Sequence, residues 1–551
     1  MSNLYLKVQC VPFNNIPFNF SLVNHNPPIA DLLDCIDSSE RTHELFARLI
    51  KNNTEQRGIL YTSKADIVGF KNPEELAEKY NNVLYHRHQY ARIEIFKNHF
   101  YIKEYDENVY EIIYKLKKYA ESGIKNYTHS VDLWMKNSGL IIDCDEKKNA
   151  LRNLFKNSKV AFIYGAAGTG KSTMINYISS LFKDKQKIFL ANTNPAVENL
   201  RRKVTAEHAE FVTITKFLSK DVSNDCDILC LDECSTISNR DMVRVLQRAQ
   251  CKLLVLVGDI YQIESILFGN WFNIAYKVMP KDSVAELTRP HRTTVQGLIE
   301  VWNKVREITE DRLEFITRNG LSSTLDESIF SRTEEDEIVL CLNYDGIYGI
   351  NNINKFLQSN NVNPSINWGV LSYKVGDPVL FNESNRFAPL VYNNLKGKIL
   401  QIEEEEDCIY FTIEVYTVLN ELDVIGFDLE LKESVTDETS VIRFKVGRGG
   451  DGNDDNDNVE NVVPFQVAYA ISIHKAQGLE YESVKVLITS EIEEMVSHNI
   501  FYTAITRAKS KLKIYWSPET EKRILENMKV QFNDKDYQLF KAKYKEALLK
   551  S

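Results

Sequence analysis

No stretch of the 551-residue chain is apolar for long enough to span a bilayer, so a membrane partner is not expected. The opening run Met1-Ser2-Asn3-Leu4-Tyr5-Leu6-Lys7 lacks a basic region followed by a continuous apolar core. No secretion signal is expected there, and the expected location is cytoplasmic. Cysteine is sparse: nine residues, scattered, and expected to stay reduced. Cys226, Cys230 and Cys234 recur at even spacing across an expected strand and read as small buried hydrophobes before they read as a metal site. An excess of positive charge is also missing. Lys and Arg number 67 against 77 Asp and Glu, a net charge of −10. That excludes a general nucleic-acid coat, and any nucleic acid must be held in a local groove.

What is present is ordinary in bulk and specific in detail. Hydrophobic residues make up 43% and charged residues 26%, as in globular proteins, and the length suggests three or four domains. The run Gly165-Ala166-Ala167-Gly168-Thr169-Gly170-Lys171-Ser172-Thr173 follows the apolar Val160–Tyr164 and leads into Met174–Ile178. Strand, glycine-rich turn and helix together are the context of a Walker A phosphate loop. Gly165, Gly168 and Gly170 let backbone N–H groups converge on phosphate oxygens. Lys171 neutralises the β- and γ-phosphates, Ser172 ligates Mg²⁺, and Thr173 follows at the helix N-terminus. ATP and Mg²⁺ are therefore the expected cofactors. Leu229-Cys230-Leu231-Asp232-Glu233 is an apolar strand ending in two carboxylates, a Walker B element. Asp232 is placed to hold Mg²⁺ and Glu233 to polarise the attacking water. Gln262 ends the turn after Val257-Gly258-Asp259, where a neutral amide can report the γ-phosphate. Downstream, Thr288-Arg289-Pro290-His291-Arg292 and Thr503-Ala504-Ile505-Thr506-Arg507 supply arginines suited to phosphoryl-transfer charge.

This ordered set resembles the superfamily 1 helicases, in particular their RecD-like, 5′-to-3′ branch. In that resemblance Gly165–Ser172 is motif I, Asp232-Glu233 motif II and Gly258–Gln262 motif III. Arg292 falls on the arginine of motif IV and Arg507 on that of motif VI. Ala468–Glu480, with its His474-Lys475-Ala476-Gln477-Gly478 core, resembles motif V in the RecD-like rather than the UvrD-like form; it brings Gly478 and Glu480 to the nucleotide. Ala191–Val197 resembles motif Ia. The resemblance implies nucleic-acid contacts at Thr193, Asn194, Thr213, Ser472, His474 and Lys475. Two departures stand out. Lys147 occupies the position of an adenine-reading Gln, and an ammonium has no acceptor, which leaves base selectivity open. Thr215 replaces a His. The segment between motif Ia and motif II is short, with little room for a duplex-splitting pin.

The expected fold is α/β: two RecA-like parallel-sheet motor domains, the second carrying an inserted small SH3-like β-barrel, plus an N-terminal α+β domain. The boundaries read as 1–138 for an N-terminal interaction domain and 139–286 for the first motor domain. The second motor domain is split into 287–368 and 461–517, around an insert at 369–460 that ends in an acidic Gly/Asp-rich loop. Residues 518–551 read as a helical tail. His86-Arg87-His88 lacks a third ligand and reads as solvated chain. The implied activity is an ATP-dependent helicase or translocase on single-stranded or tailed duplex DNA, with RNA equally open from the residues. The alternative is a nucleic-acid-dependent regulatory ATPase of a multi-protein complex, docked through residues 1–138.

Overall fold

The computed structural model describes residues 41–549, apart from 56, 167, 220–222, 263–267, 290–292, 370, 383–385, 389, 435, 448–460 and 529–533. Arg292 and most of the acidic loop lie outside the described residues. The chain divides into two compact units, residues 1–294 with 529–551, and residues 295–528.

The first unit is built on six parallel strands. Their order is Ala209–Thr213, Lys187–Ala191, Asp225–Leu231, Gln250–Gly258, Val160–Gly165 and Val284–Leu287. Every residue of Val160–Gly165 is buried, as a continuous apolar run requires in a parallel sheet covered on both faces. Tyr164 lies level with Gly258, and Leu231 with Leu256. Three chain segments therefore leave the sheet at one carboxyl edge: the glycine loop, Asp232-Glu233 and Asp259–Gln262. That edge is where open α/β sheets bind ligands.

Residues 42–137 do not stand apart from this sheet, so the expected boundary at 138 does not coincide with a break in packing. Helix Lys103–Ala120 buries Val109, Ile112, Ile113 and Leu116, one stripe at helical spacing. These residues share a single apolar core with Phe162, Tyr164, Leu229 and Leu254 of the parallel strands. Helix Asp534–Leu549 returns to the same unit: Asp536 accepts hydrogen bonds from the backbone N–H groups of Leu60 (2.7 Å) and Tyr61 (3.0 Å).

The second unit has its own parallel sheet, ordered Ser322–Ser323, Ala508–Tyr515, Tyr481–Leu487, Glu337–Cys341 and Ala470–Ser472. Between Glu337–Cys341 and Ala470–Ser472 the chain leaves to form a hairpin, Ser365–Trp368 with Leu371–Lys374, and a six-stranded antiparallel sheet that ends at Phe465–Val467. Strand Cys408–Val415 alternates strictly, with Ile409, Phe411, Ile413 and Val415 inside. These four pack with Val379, Phe381, Ile399, Ile442, Phe444 and Phe465 into a core separate from that of the parallel sheet.

Candidate nucleotide-binding site

The glycine loop is a closed turn. Lys171 Nζ donates to the carbonyls of Gly165 (2.8 Å) and Ala166 (2.9 Å), and Thr169 Oγ1 donates to Ala166 O at 2.9 Å. Gly170 caps helix Lys171–Leu181 at φ 85°, a left-handed conformation that disfavours any side chain. A Cβ on Gly165 would stand 2.4 Å from Thr169 Oγ1. The loop thus stays narrow, with the ammonium of Lys171 folded over its own carbonyls. Ser172 and Thr173, half-buried, open the helix behind it.

The acidic pair sits one strand beyond the neighbouring strand. Burial pushes the Asp232 carboxyl above the usual carboxylate range, while the Glu233 N–H and the Lys171 ammonium pull it back. The Glu233 N–H donates to Asp232 Oδ1 at 2.9 Å. The electrostatic influence of Lys171 ties the two motifs into one site. Glu233 adopts φ 51°, ψ 42°, a strained conformation for a residue with a Cβ. Such strain gathers at functional positions. The turn it creates is fixed by Thr236 Oγ1 donating to Glu233 O (2.9 Å), and Asn192 Nδ2 donates to Thr236 O (3.0 Å). This link joins the motif Ia strand end to the acidic pair.

At the third segment Gln262 is 9% exposed, its N–H turned onto Asp259 O at 3.3 Å. Asp259 is 2% exposed; its Oδ1 accepts from the Tyr261 N–H, and its Oδ2 has no hydrogen-bond partner among the described residues. Sequence reasoning passed over Asp259, which carries no signal beyond its place between Gly258 and Gln262. A narrow glycine cradle, an ammonium on loop carbonyls, two acidic residues and an orphaned carboxylate oxygen fit a magnesium nucleotide.

The remaining expected residues divide between the units. Thr193 and Thr213 act as N-caps, accepting from Ala196 N–H (3.4 Å) and Lys216 N–H (3.2 Å), and Asn194 is the exposed first residue of its helix. In the second unit, Ser472 Oγ accepts from the Lys475 N–H at 3.1 Å, Lys475 Nζ donates to Gln466 Oε1 at 3.0 Å, and His474 is exposed. Arg507 is 3% exposed. Its guanidinium donates to Thr503 O (2.9 Å), Leu479 O (3.3 Å) and Thr506 Oγ1 (3.4 Å). The Tyr481 N–H donates to Arg507 O at 3.0 Å, so the backbone at Leu479 and Tyr481, on either side of Glu480, is bonded to Arg507. Among the described residues no group of three or more His, Cys, Asp or Glu is arranged to hold a metal on its own. Cys226, Cys230 and Cys234 are buried free thiols whose pKa burial raises.

Comparison with known proteins places these motifs. A family described as AAA domain matches residues 144–326, and a UvrD-like helicase C-terminal domain matches residues 467–515. An uncharacterized protein of Methanocaldococcus jannaschii is 24% identical over 67% of this chain, which spans 37% of that protein's length. The RecBCD enzyme subunit RecD of Buchnera aphidicola subsp. Schizaphis graminum is 23% identical over 70% of this chain and 78% of its own. The ATP-dependent DNA helicase Pif1 of Campylobacter jejuni is 23% identical over 64% of this chain and 88% of its own. Among solved structures, Pif1 helicase from Bacteroides in complex with ADP-AlF3 and ssDNA aligns at 16% identity over 74% of this chain and 98% of that one, with a TM-score of 0.43. The two family matches and the RecD and Pif1 sequence relatives make this chain similar to the superfamily 1 helicases of the RecD-like and Pif1-like branch.

Proposed function

We propose that this protein hydrolyses ATP to move along single-stranded DNA in the 5′-to-3′ direction, opening duplex ahead of it. The observation that carries this reading is the convergence of Lys171, Asp232 and Gln262 at one carboxyl edge of a parallel sheet. Lys171 exchanges its two loop carbonyls for phosphate oxygens. Ser172 and Asp232 would hold a magnesium ion, which when bound would supply positive charge to the transferred phosphoryl group. Glu233 orients and polarises the attacking water. Arg292 and, in the second unit, Arg507 with Gly478 and Glu480 beside it are the groups suited to the charge that develops on a phosphoryl group. Thr193, Asn194, Thr213, Ser472, His474 and Lys475 hold the DNA backbone, which gives position without sequence readout. The inserted β sheet serves as the SH3-like element over the strand.

A second reading, a regulatory ATPase within a larger assembly, is favoured by relatives that are named subunits of the RecBCD enzyme. Strand displacement on 5′- and 3′-tailed duplexes, with ATPase measured in parallel, separates the two. ATP-dependent opening of only the 5′-tailed substrate supports the motor. DNA-stimulated ATPase with neither substrate opened supports the assembly subunit. Retained ATPase in Lys171→Ala removes the site from both.

A further inference from the structure

Lys147 projects from helix Asp145–Asn153 toward the end of the glycine loop and is 1% exposed. A Cβ at Gly170 would stand 2.5 Å from Lys147 Nζ and 3.6 Å from Thr173 Oγ1. The ammonium is thus pressed against the backbone that caps helix Lys171–Leu181. It donates to Asp143 Oδ2 at 2.5 Å, and Asp143 is partly open to solvent.

This placement is electrostatically costly. The N-terminus of an 11-residue helix carries the positive end of its dipole, and cations there destabilise it. The Lys171 ammonium already lies on the same loop. A second buried ammonium is therefore poorly explained by fold stability, with Asp143 as its carboxylate partner. A polyanion at the loop would offset it. Lys171 serves the β- and γ-phosphates, and the N–H groups that open the helix serve the α side. Gly170 and Thr173 mark that side. The residue type also argues against base reading: an ammonium lacks the acceptor that the adenine N6 amine requires.

We propose that Lys147 is a second phosphate-directed lysine, acting at the α-phosphate end of the nucleotide site, and that the protein takes ATP and GTP without adenine selectivity. Asp143 is its counter-ion when no nucleotide is bound. This rests on the nucleotide reading above and names the substrate class of that site.

Equilibrium binding of MgATP, MgADP and MgGTP to the full chain tests it. The wild type is expected to bind ATP and GTP within about threefold of one another, since Lys147 offers no acceptor to the adenine N6 amine. Lys147→Met is expected to weaken all three nucleotides by a common factor of about ten or more, the loss of one charge-assisted contact. Lys147→Arg keeps most of the affinity and, with unchanged thermal unfolding of both variants, separates charge from folding. Asp143→Asn leaves affinity equal or higher. Unchanged affinity in Lys147→Met overturns the proposal. So does a tenfold ATP preference that Lys147→Met abolishes, because that is base reading. A wild type that binds no nucleotide overturns the functional reading itself, which distinguishes the two failures.

Discussion

Asp232 illustrates what a buried acid does to stability before any ligand arrives. Burial raises its folded pKa above the value it has in an unfolded chain. The folded protein then holds the proton more tightly than the unfolded one across that window. Stability is gained as pH falls through the folded pKa, and the charged carboxylate is a cost at neutral pH. Asp232→Asn should therefore raise the melting temperature of the nucleotide-free protein at pH 7 while removing the further stabilisation that MgATP gives. Thermal melts with and without MgATP check both halves; a lower melting temperature without nucleotide would show that the anion is already well compensated. The chemistry of Asp232 was legible from its sequence, because an apolar run ending in two carboxylates downstream of a glycine loop has few other readings. The strain at Glu233, the orphaned oxygen of Asp259 and the burial of Lys147 were not. Each depends on where a side chain lands after the sheet forms, and at Lys147 the residue type alone registered only as a misfit.

Among the elements, those whose signal is local were readable. Val160–Gly165 extends the expected apolar run Val160–Tyr164 by a single residue, the first glycine of the loop. The terminal helix was readable as a helix but not as part of the first unit, since its contacts join residues more than 400 positions apart. One group of those contacts converges on Asp106, which is 1% exposed. It accepts from the hydroxyls of Tyr61 and Tyr544 and from Lys543 Nζ at 2.6 Å. Tyr544 also stacks on Tyr110, ring centroids 4.4 Å apart. Asp106→Ala leaves two hydroxyls and an ammonium without their shared acceptor. Loss of a buried partner of this kind costs about 3 kcal/mol or more. Urea unfolding should show that loss, and Tyr544→Phe, which removes one hydroxyl and leaves Lys543 paired with Asp106, should show less. A change under about 1 kcal/mol for Asp106→Ala would mean that water replaces the carboxylate, as at an exposed pair.

At the scale of the whole molecule, a net charge of −10 sets how nucleic acid can be held. Many cations are neutralised where they stand: Lys304 by Asp311, Lys396 by Asp336, Lys398 by Glu335, Lys511 by Glu334 and Arg523 by Glu493. Arg201, Arg202 and Lys203 follow one another in the last turn of the helix that Thr193 caps, and of these Arg201 is paired with Glu198. A protein built this way meets few phosphates at once. For single strands, the logarithm of affinity falls against the logarithm of salt concentration with a slope near −0.7 for each phosphate contacted. Five contacts or fewer give a slope no steeper than about −3.5. Single-stranded oligonucleotide binding measured across a salt series, without nucleotide, should stay within that limit. Binding to blunt duplex, which must rely on a broad basic face, should be much weaker at every salt concentration. A steep slope near −7, with blunt duplex bound as tightly as single strands, would mean that about ten phosphates are engaged and that the strand is coated rather than held in a groove.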